Sequence, residues 1–335
     1  MAKIVGGFGS SHGPLLILPP EDWPLRADFD RNHIHDFHGK TYNFEELVKE
    51  RGADTFTDDI TVEARRDRFL RCQTQLDALA KFVRDLAPDI LVVVGDDQEE
   101  WFADDVQPAF TVFCGDAILN SGYVQEEHAH KHPSVQMVES QRHTPVDTYY
   151  PVVADLGKHI IEKLIDDEFD VTASSEIPSN GKGPLGIGHA FSFIYRRILK
   201  DDPIPLVPVL INTFYPPNQP LPKRCFNLGR AIGRAIRSWD GDKRVAIVAS
   251  GGLSHFVIDE DWDRRMIKAM QDRDWDTLTS EPDEIFRSGT SETKNWLVAL
   301  GAMADEKFEM NLLDYVPCYR SEGGTGNAMA FATWS

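Results

Sequence analysis

The chain has 335 residues and a formal net charge of −19, from 35 Lys and Arg against 54 Asp and Glu. That balance argues against nucleic acid, whose phosphates need a basic face, and against anchoring on anionic lipid. A hydrophobic content of 41%, with 19 Phe and 7 Trp, is an ordinary globular composition, and no run approaches the roughly 18 apolar residues of a membrane helix.

The four cysteines (Cys72, Cys114, Cys225, Cys318) are scattered without CxxC spacing, which predicts reduced thiols in a cytoplasmic protein. No charged region followed by a long apolar segment opens the chain, so no signal peptide is expected. Residues 1–8 read as a first strand that stops at Gly9-Ser10-Ser11-His12-Gly13-Pro14. Residues from about 15 to 60 are rich in Pro, Asp and His and show no clean period beyond a short helix at 45–51; a loop this long is functional or disordered. Apolar spacing of three and four at Phe69, Leu76, Leu79, Phe82 and Leu86 predicts a long amphipathic helix over 62–86, ended by Pro88. The apolar run 90–94 predicts a buried strand that stops at Gly95-Asp96-Asp97-Gln98.

Residues 108–114 are a further candidate strand, and 120–149 form a second irregular stretch holding His128, His130, His132 and His143. A helix over 151–165, a strand over 169–173, a glycine-rich loop at 181–188, a helix over 190–199 and a strand over 206–212 follow. After the Pro-rich turn at 216–222 come a helix at 225–239 and a strand at 245–250, which stops at Gly251-Gly252-Leu253-Ser254-His255. Helices are predicted through much of the remainder, notably 292–304, with a Gly323-Gly324-Thr325-Gly326 turn near the end. The alternation predicts one α/β domain with a mostly parallel central sheet flanked by helices, carrying long active-site loops at about 15–60 and 120–149.

In such sheets ligands bind outside the carboxyl ends of the strands. His12 and His255 both follow predicted strands on turns of small residues. His12 reads as a metal ligand or general base, or else as a turn histidine with a local hydrogen bond. Glu260, with Asp259 and Asp261, opens a predicted helix, where acids also serve simply to favour the N-terminus. His189 stands at the mouth of a helix, which disfavours its cation and suits a general base. Asp96 to Glu100 end a buried strand as either a site or a solvated acidic turn. The His33, His35, His38 cluster is a weaker metal candidate, and His128, His130 and His132 belong to a lid or a plain polar loop.

Taken in order, these segments resemble the class III extradiol ring-cleavage dioxygenases, the protocatechuate 4,5-dioxygenase β-subunit superfamily. The likeness runs through the Ser-Ser-His turn at His12, the Asp97 turn, Asp167-Glu168-Phe169-Asp170, the loop with His189, Tyr215-Pro216-Pro217, the His255 turn and Ser288-Gly289-Thr290-Ser291-Glu292 at a helix start. The His- and Pro-bearing insertion is most similar to the gallate and 3-O-methylgallate branch. The resemblance implies Fe(II) held by two histidines and a glutamate, a catecholic substrate, O2 and a homodimer. It assigns His12 as the first histidine and Glu260 as the glutamate, with Asp259 or Asp261 as substitutes. Gln98 stands at the second histidine's position, leaving Gln98, Asp97, His35 or His38 as the remaining ligand. His189 would serve as base toward the substrate hydroxyl and then as acid, with His255 assisting near the metal. The expected activity is Fe(II)-dependent ring cleavage of a carboxylated catechol of the gallate, 3-O-methylgallate or protocatechuate type; the alternatives are a metal-dependent hydrolase and a non-catalytic homologue that has lost its metal.

Overall fold

The computed structural model describes residues 1–178 and 186–335, so the predicted glycine-rich loop lies outside the described residues up to position 185. A single sheet organises the chain. Its strands run in the order His255–Val257, Thr325–Trp334, Lys3–Ser10, Arg244–Ser250, Ile90–Asp96, Leu206–Ile211, Phe110–Phe113 and Thr172–Ser174, with Met310–Tyr319 also paired to Thr325–Trp334. The four central strands, Lys3–Ser10, Arg244–Ser250, Ile90–Asp96 and Leu206–Ile211, are mutually parallel. Antiparallel pairs flank them on both sides, so the whole sheet is mixed.

The central strands are buried on both faces, and their residues alternate between two cores as the pleat requires. Ile90, Val92 and Val94 pack in one core with Leu156, Ile232 and Trp296, under the helices Ala154–Asp166, Pro222–Ser238 and Thr293–Met303. Leu91 and Val93 pack in the other with Leu76, Leu79 and Phe191, under Val62–Leu86 and His189–Phe193. The long helix has the bounds its apolar spacing predicts. It is N-capped by Thr61 and ends at Ala87 in the left-handed conformation.

Register aligns the carboxyl ends that matter. Ser10 lies beside Ser250, and Ala249 beside Val94. The segments Ser11-His12, Gly251-Gly252 and Asp96-Asp97 therefore leave the sheet side by side. The helix Thr293–Met303 crosses just beneath them and packs at close range on the helix Pro222–Ser238, where glycine permits the approach. A Cβ on Gly229 would lie 2.0 Å from the Val298 carbonyl oxygen, and one on Gly301 would lie 2.2 Å from that of Phe226. Only hydrogen fits at those two positions.

The two irregular stretches contain more structure than their composition predicts. The first holds helices Trp23–Asp30 and Phe44–Arg51 and a hairpin of His35–Phe37 with Lys40–Tyr42. The second holds helix Pro133–Arg142 between the paired strands Ala117–Asn120 and Thr148–Pro151. The C-terminal hairpin is the main departure from the predicted elements. Thr325–Trp334 is buried at every position, and Ala328, Ala330 and Ala332 alternate with Met329 and Phe331 across its two faces. Alanine has poor strand propensity, so only the depth of the sheet makes this segment a strand. No helix among the described residues is long and apolar enough to cross a membrane.

Candidate metal centre

His12 lies at the carboxyl end of the central sheet and is almost fully buried. Its Nδ1 is 3.0 Å from Ser250 Oγ, and that hydroxyl donates to the Ala190 carbonyl at 2.6 Å. A serine has one proton to give, so toward His12 it accepts, and Nδ1 must carry the hydrogen. His12 Nε2 then presents a bare lone pair. Burial disfavours the cation and pushes the His12 pKa down to about 3, outweighing the attraction of Glu292.

That lone pair faces two carboxylates. Glu292 Oε2 is 3.5 Å from His12 Nε2, and Asp96 Oδ1 is 3.8 Å away. Glu292 accepts from the Gly252 amide at 2.7 Å and lies 3.1 Å from His255 Nε2. Burial opposes its charge, but His255 and His12 hold its pKa well below the usual range. His255 Nδ1 meets the Leu253 carbonyl at 3.0 Å. With an acceptor on each nitrogen, only the imidazolium satisfies both, and its pKa is raised against burial by Glu292. Asp96 is fully buried, receives Asn295 Nδ2 at 2.9 Å and Gln98 Nε2 at 3.0 Å, and is pushed up to about 7 by burial and by Glu292.

His189 completes the cluster. Its Nε2 lies 3.1 Å from His12 Nε2 and 3.7 Å from Asp96 Oδ2. Its Nδ1 bonds Glu100 at 2.7 Å, and the same carboxylate accepts the His189 amide at 3.0 Å. Burial works against the His189 cation, yet Glu100 and Asp96 outweigh it and push the pKa up to about 9. The ligand atoms of His12, Asp96 and His189 all lie within 4.8 Å of one another.

The donor set fits a divalent cation. The His12 lone pair and the buried carboxylates of Asp96 and Glu292 converge on one space beside His189 Nε2, while His255, Gly252, Asn295 and Gln98 bond the carboxylates from outside it. Buried acceptors facing acceptors are costly without a cation between them. Imidazole nitrogen with carboxylate oxygen is ligand chemistry suited to divalent first-row metals.

The sequence-predicted residues divide into those that meet here and those that do not. His12, His189 and His255 converge. Gln98 lines the same cavity, with its amide on Asp96 and its oxygen 3.4 Å from Tyr215 Oη. Asp97 instead caps the following turn, accepting the Trp101 and Phe102 amides at 2.9 and 3.1 Å. Glu260 is not brought to the cluster: its carboxylate accepts from Tyr319 Oη at 2.9 Å and pairs with Arg264. Asp259 caps its own helix and pairs with His38 at 2.7 Å, while Asp261 lines a separate cavity. His35 is bonded to the Asp30 carbonyl at 2.8 Å. His132 caps the Pro133–Arg142 helix, and His128 stacks on Tyr123.

The carboxylate that does meet His12 is Glu292, a residue singled out in the sequence only as part of a helix-start motif. Its signal is a charged residue opening a helix, Thr293–Met303, that is buried throughout. Asn295 and the cavity-lining Arg26, Arg142 and Arg320 carried no such signal. All four cysteines are buried thiols away from the cluster, with Cys72 and Cys318 facing each other at 3.9 Å.

The family described as the catalytic LigB subunit of aromatic ring-opening dioxygenase matches residues 64–322. The gallate dioxygenase of Pseudomonas putida is 32% identical over 142 residues, which cover 39% of this chain and 37% of that protein. A 2,3-dihydroxyphenylpropionate/2,3-dihydroxicinnamic acid 1,2-dioxygenase of Rhodococcus sp. is 28% identical over 180 residues, 53% of this chain and 47% of the relative. One from Mycobacterium sp. (strain MCS) is 29% identical over 179 residues, 52% and 46%. The chain therefore matches less than half the length of these curated relatives.

Proposed function

We propose, for a chain that belongs to the catalytic LigB subunit family of aromatic ring-opening dioxygenases, that it cleaves a carboxylated catechol of the gallate, 3-O-methylgallate or protocatechuate type beside its diol, using O2 and Fe(II). The observation that carries this reading is the His12 lone pair turned toward Asp96 and Glu292, with protonated His189 at its edge. His12, Glu292 and Asp96 would hold the metal. Gln98 positions Asp96 through its amide instead of supplying a ligand of its own, and Glu260 has no part in the site.

When bound, the metal supplies a Lewis acid and electron relay that brings the diol and O2 together. The chain's own residues handle orientation and protons. Positive charge beside His189 disfavours its proton, freeing Nε2 to take one from the substrate hydroxyl. Glu100, on Nδ1, holds the ring in one orientation and stabilises the imidazolium that results. The same Nε2 returns the proton later in turnover. His255 stays charged against Glu292 and fixes that carboxylate's orientation.

A cytoplasmic homodimer completes the proposal, supported by the buried free thiols and by the family resemblance. The deciding experiment is O2 uptake by protein reconstituted anaerobically with Fe(II), against gallate, 3-O-methylgallate and protocatechuate, with metal content measured on the same sample and mass measured by light scattering. Uptake with a new ring-opened absorbance is expected. Bound iron without uptake on any of the three refutes the substrate class. Failure to bind iron refutes the metal centre, and Zn(II) dependence without uptake would assign a hydrolase.

A further inference from the structure

Three arginines from distant parts of the chain converge on the cavity beside His12. Arg26 comes from the Trp23–Asp30 helix, Arg142 ends Pro133–Arg142, and Arg320 follows the strand Met310–Tyr319. In a chain of net charge −19 this is a local reversal of sign. Two of the three have partners. Arg320 grips Asp30 with two bonds of 2.7 Å, and Arg142 lies 3.9 Å from Glu139.

Arg26 has none. Among the described residues it makes no ion pair and no hydrogen bond, and its guanidinium rests over the Phe29 ring at 5.2 Å. Asp30, one turn on, is already committed to Arg320 and to Thr325 Oγ1. Burial, together with Arg320 and Arg142, pushes the Arg26 pKa down to about 10. Asp30 offsets only part of this through its charge, so a half-buried guanidinium crowded by two others and bonded to no anion is costly unless something else supplies one.

Its position says where that anion sits. The cavity at His12 is about 150 Å³. Arg26, Arg320 and Phe256 also line a neighbouring chamber of about 390 Å³, whose other walls include Phe29, Ile34, Val135 and Phe214. Phe256 holds a left-handed φ of 52°, an unfavourable state for a bulky residue outside a constrained site. The smaller space alone is below the roughly 300–1,000 Å³ of ligand sites, and the two together fall within it. A ring set against the cluster at His12 would carry an anionic substituent toward the boundary that Arg26, Arg320 and Phe256 share.

Resting on the ring-cleavage reading, we propose that Arg26, backed by Arg142 and Arg320, is the specificity determinant of this site: its unpaired guanidinium receives the substrate's carboxylate at the opening between the two chambers. Guanidinium and carboxylate match as a two-bond pair.

The test is made first on metal-free protein. Calorimetric binding of protocatechuate and of catechol is compared in the wild type, Arg26→Gln and Arg26→Lys, with thermal melts to confirm folding. Arg26→Gln is expected to weaken protocatechuate about 10- to 100-fold and to leave catechol within about threefold, with Arg26→Lys in between. In the Fe(II)-loaded protein the same change should raise KM for protocatechuate with kcat largely kept, and lower the kcat/KM preference for protocatechuate over catechol about 10- to 100-fold. Equal loss for both ligands, or no loss for either, overturns the assignment. Absence of O2 uptake would count against the ring-cleavage reading alone, since the calorimetric comparison does not depend on it.

Discussion

Replacing Glu292 with glutamine tests the proposed metal-binding carboxylate against Glu260, the one the sequence suggests. Glu292 Oε2 lies 3.5 Å from His12 Nε2, so a cation held by that imidazole has the carboxylate charge within about 4 Å. At an effective dielectric near 20, one pair of unit charges at 4 Å is worth about 4 kcal/mol, and a divalent ion doubles it. Part of this returns on mutation. The glutamine oxygen still faces the site, and His255, deprived of its partner at 3.1 Å, gives up its own positive charge. A net loss of about 3–4 kcal/mol remains, on the order of 10²- to 10³-fold in affinity. The assay is anaerobic calorimetry with Fe(II), and metal content after dialysis against a chelator. Glu260→Gln is the control, since its carboxylate serves Tyr319 and Arg264; its affinity should stay within threefold of the wild type. Glu292→Gln binding within threefold of the wild type, or loss of metal from Glu260→Gln, would refute the assignment.

Three further outcomes are expected. His189→Ala should retain metal while turnover falls about 10²- to 10⁴-fold, read as kcat at constant iron content; loss of the metal instead would make His189 a ligand. Gly229→Ala should destabilise by about 2–4 kcal/mol, seen as a lower Tm, because the added Cβ would lie 2.0 Å from a helix carbonyl and neither helix backbone can yield locally. Glu139 pairs with His143 at 3.3 Å, and although burial opposes its charge, His143, Arg142 and Lys131 hold its pKa at about 2 against an ordinary 4.5. Its folded pKa is depressed, so its contribution is complete above pH 4.5 and disappears as pH falls toward 2. At 1.36 kcal/mol per pH unit that amounts to roughly 3 kcal/mol at most. Glu139→Gln should therefore lower denaturant stability at pH 7 and converge on the wild type near pH 2; a constant difference across that range would contradict the account.

The sequence alone determined the framework. The runs at 90–94 and 245–249 are apolar at every position, which only a sheet covered on both faces accommodates. The helix Val62–Leu86 is legible from its period of three and four. The placement of His12, His189 and His255 at strand and helix ends follows from the same punctuation. The Thr325–Trp334 strand was not legible, since its alanines have no strand preference and only pairing with three other strands makes the segment extended.

Which acidic side chains reach His12 was decided by tertiary structure. Near Glu260 the chain offers three consecutive acids, 259 to 261, and local sequence cannot say which side chain turns inward. Helix capping takes Asp259, while Tyr319 and Arg264 take Glu260. Glu292 comes to the cluster where glycine at 251 lets the start of the helix Thr293–Met303 approach the strand end: a Cβ there would lie 2.9 Å from Asn295 Nδ2 and 3.1 Å from the Glu292 carbonyl oxygen. Arg26, Arg142 and Arg320 lie up to 294 positions apart and meet only through folding. A charge acquires a role from the partners that surround it, and those partners come from distant segments whose meeting no local pattern records.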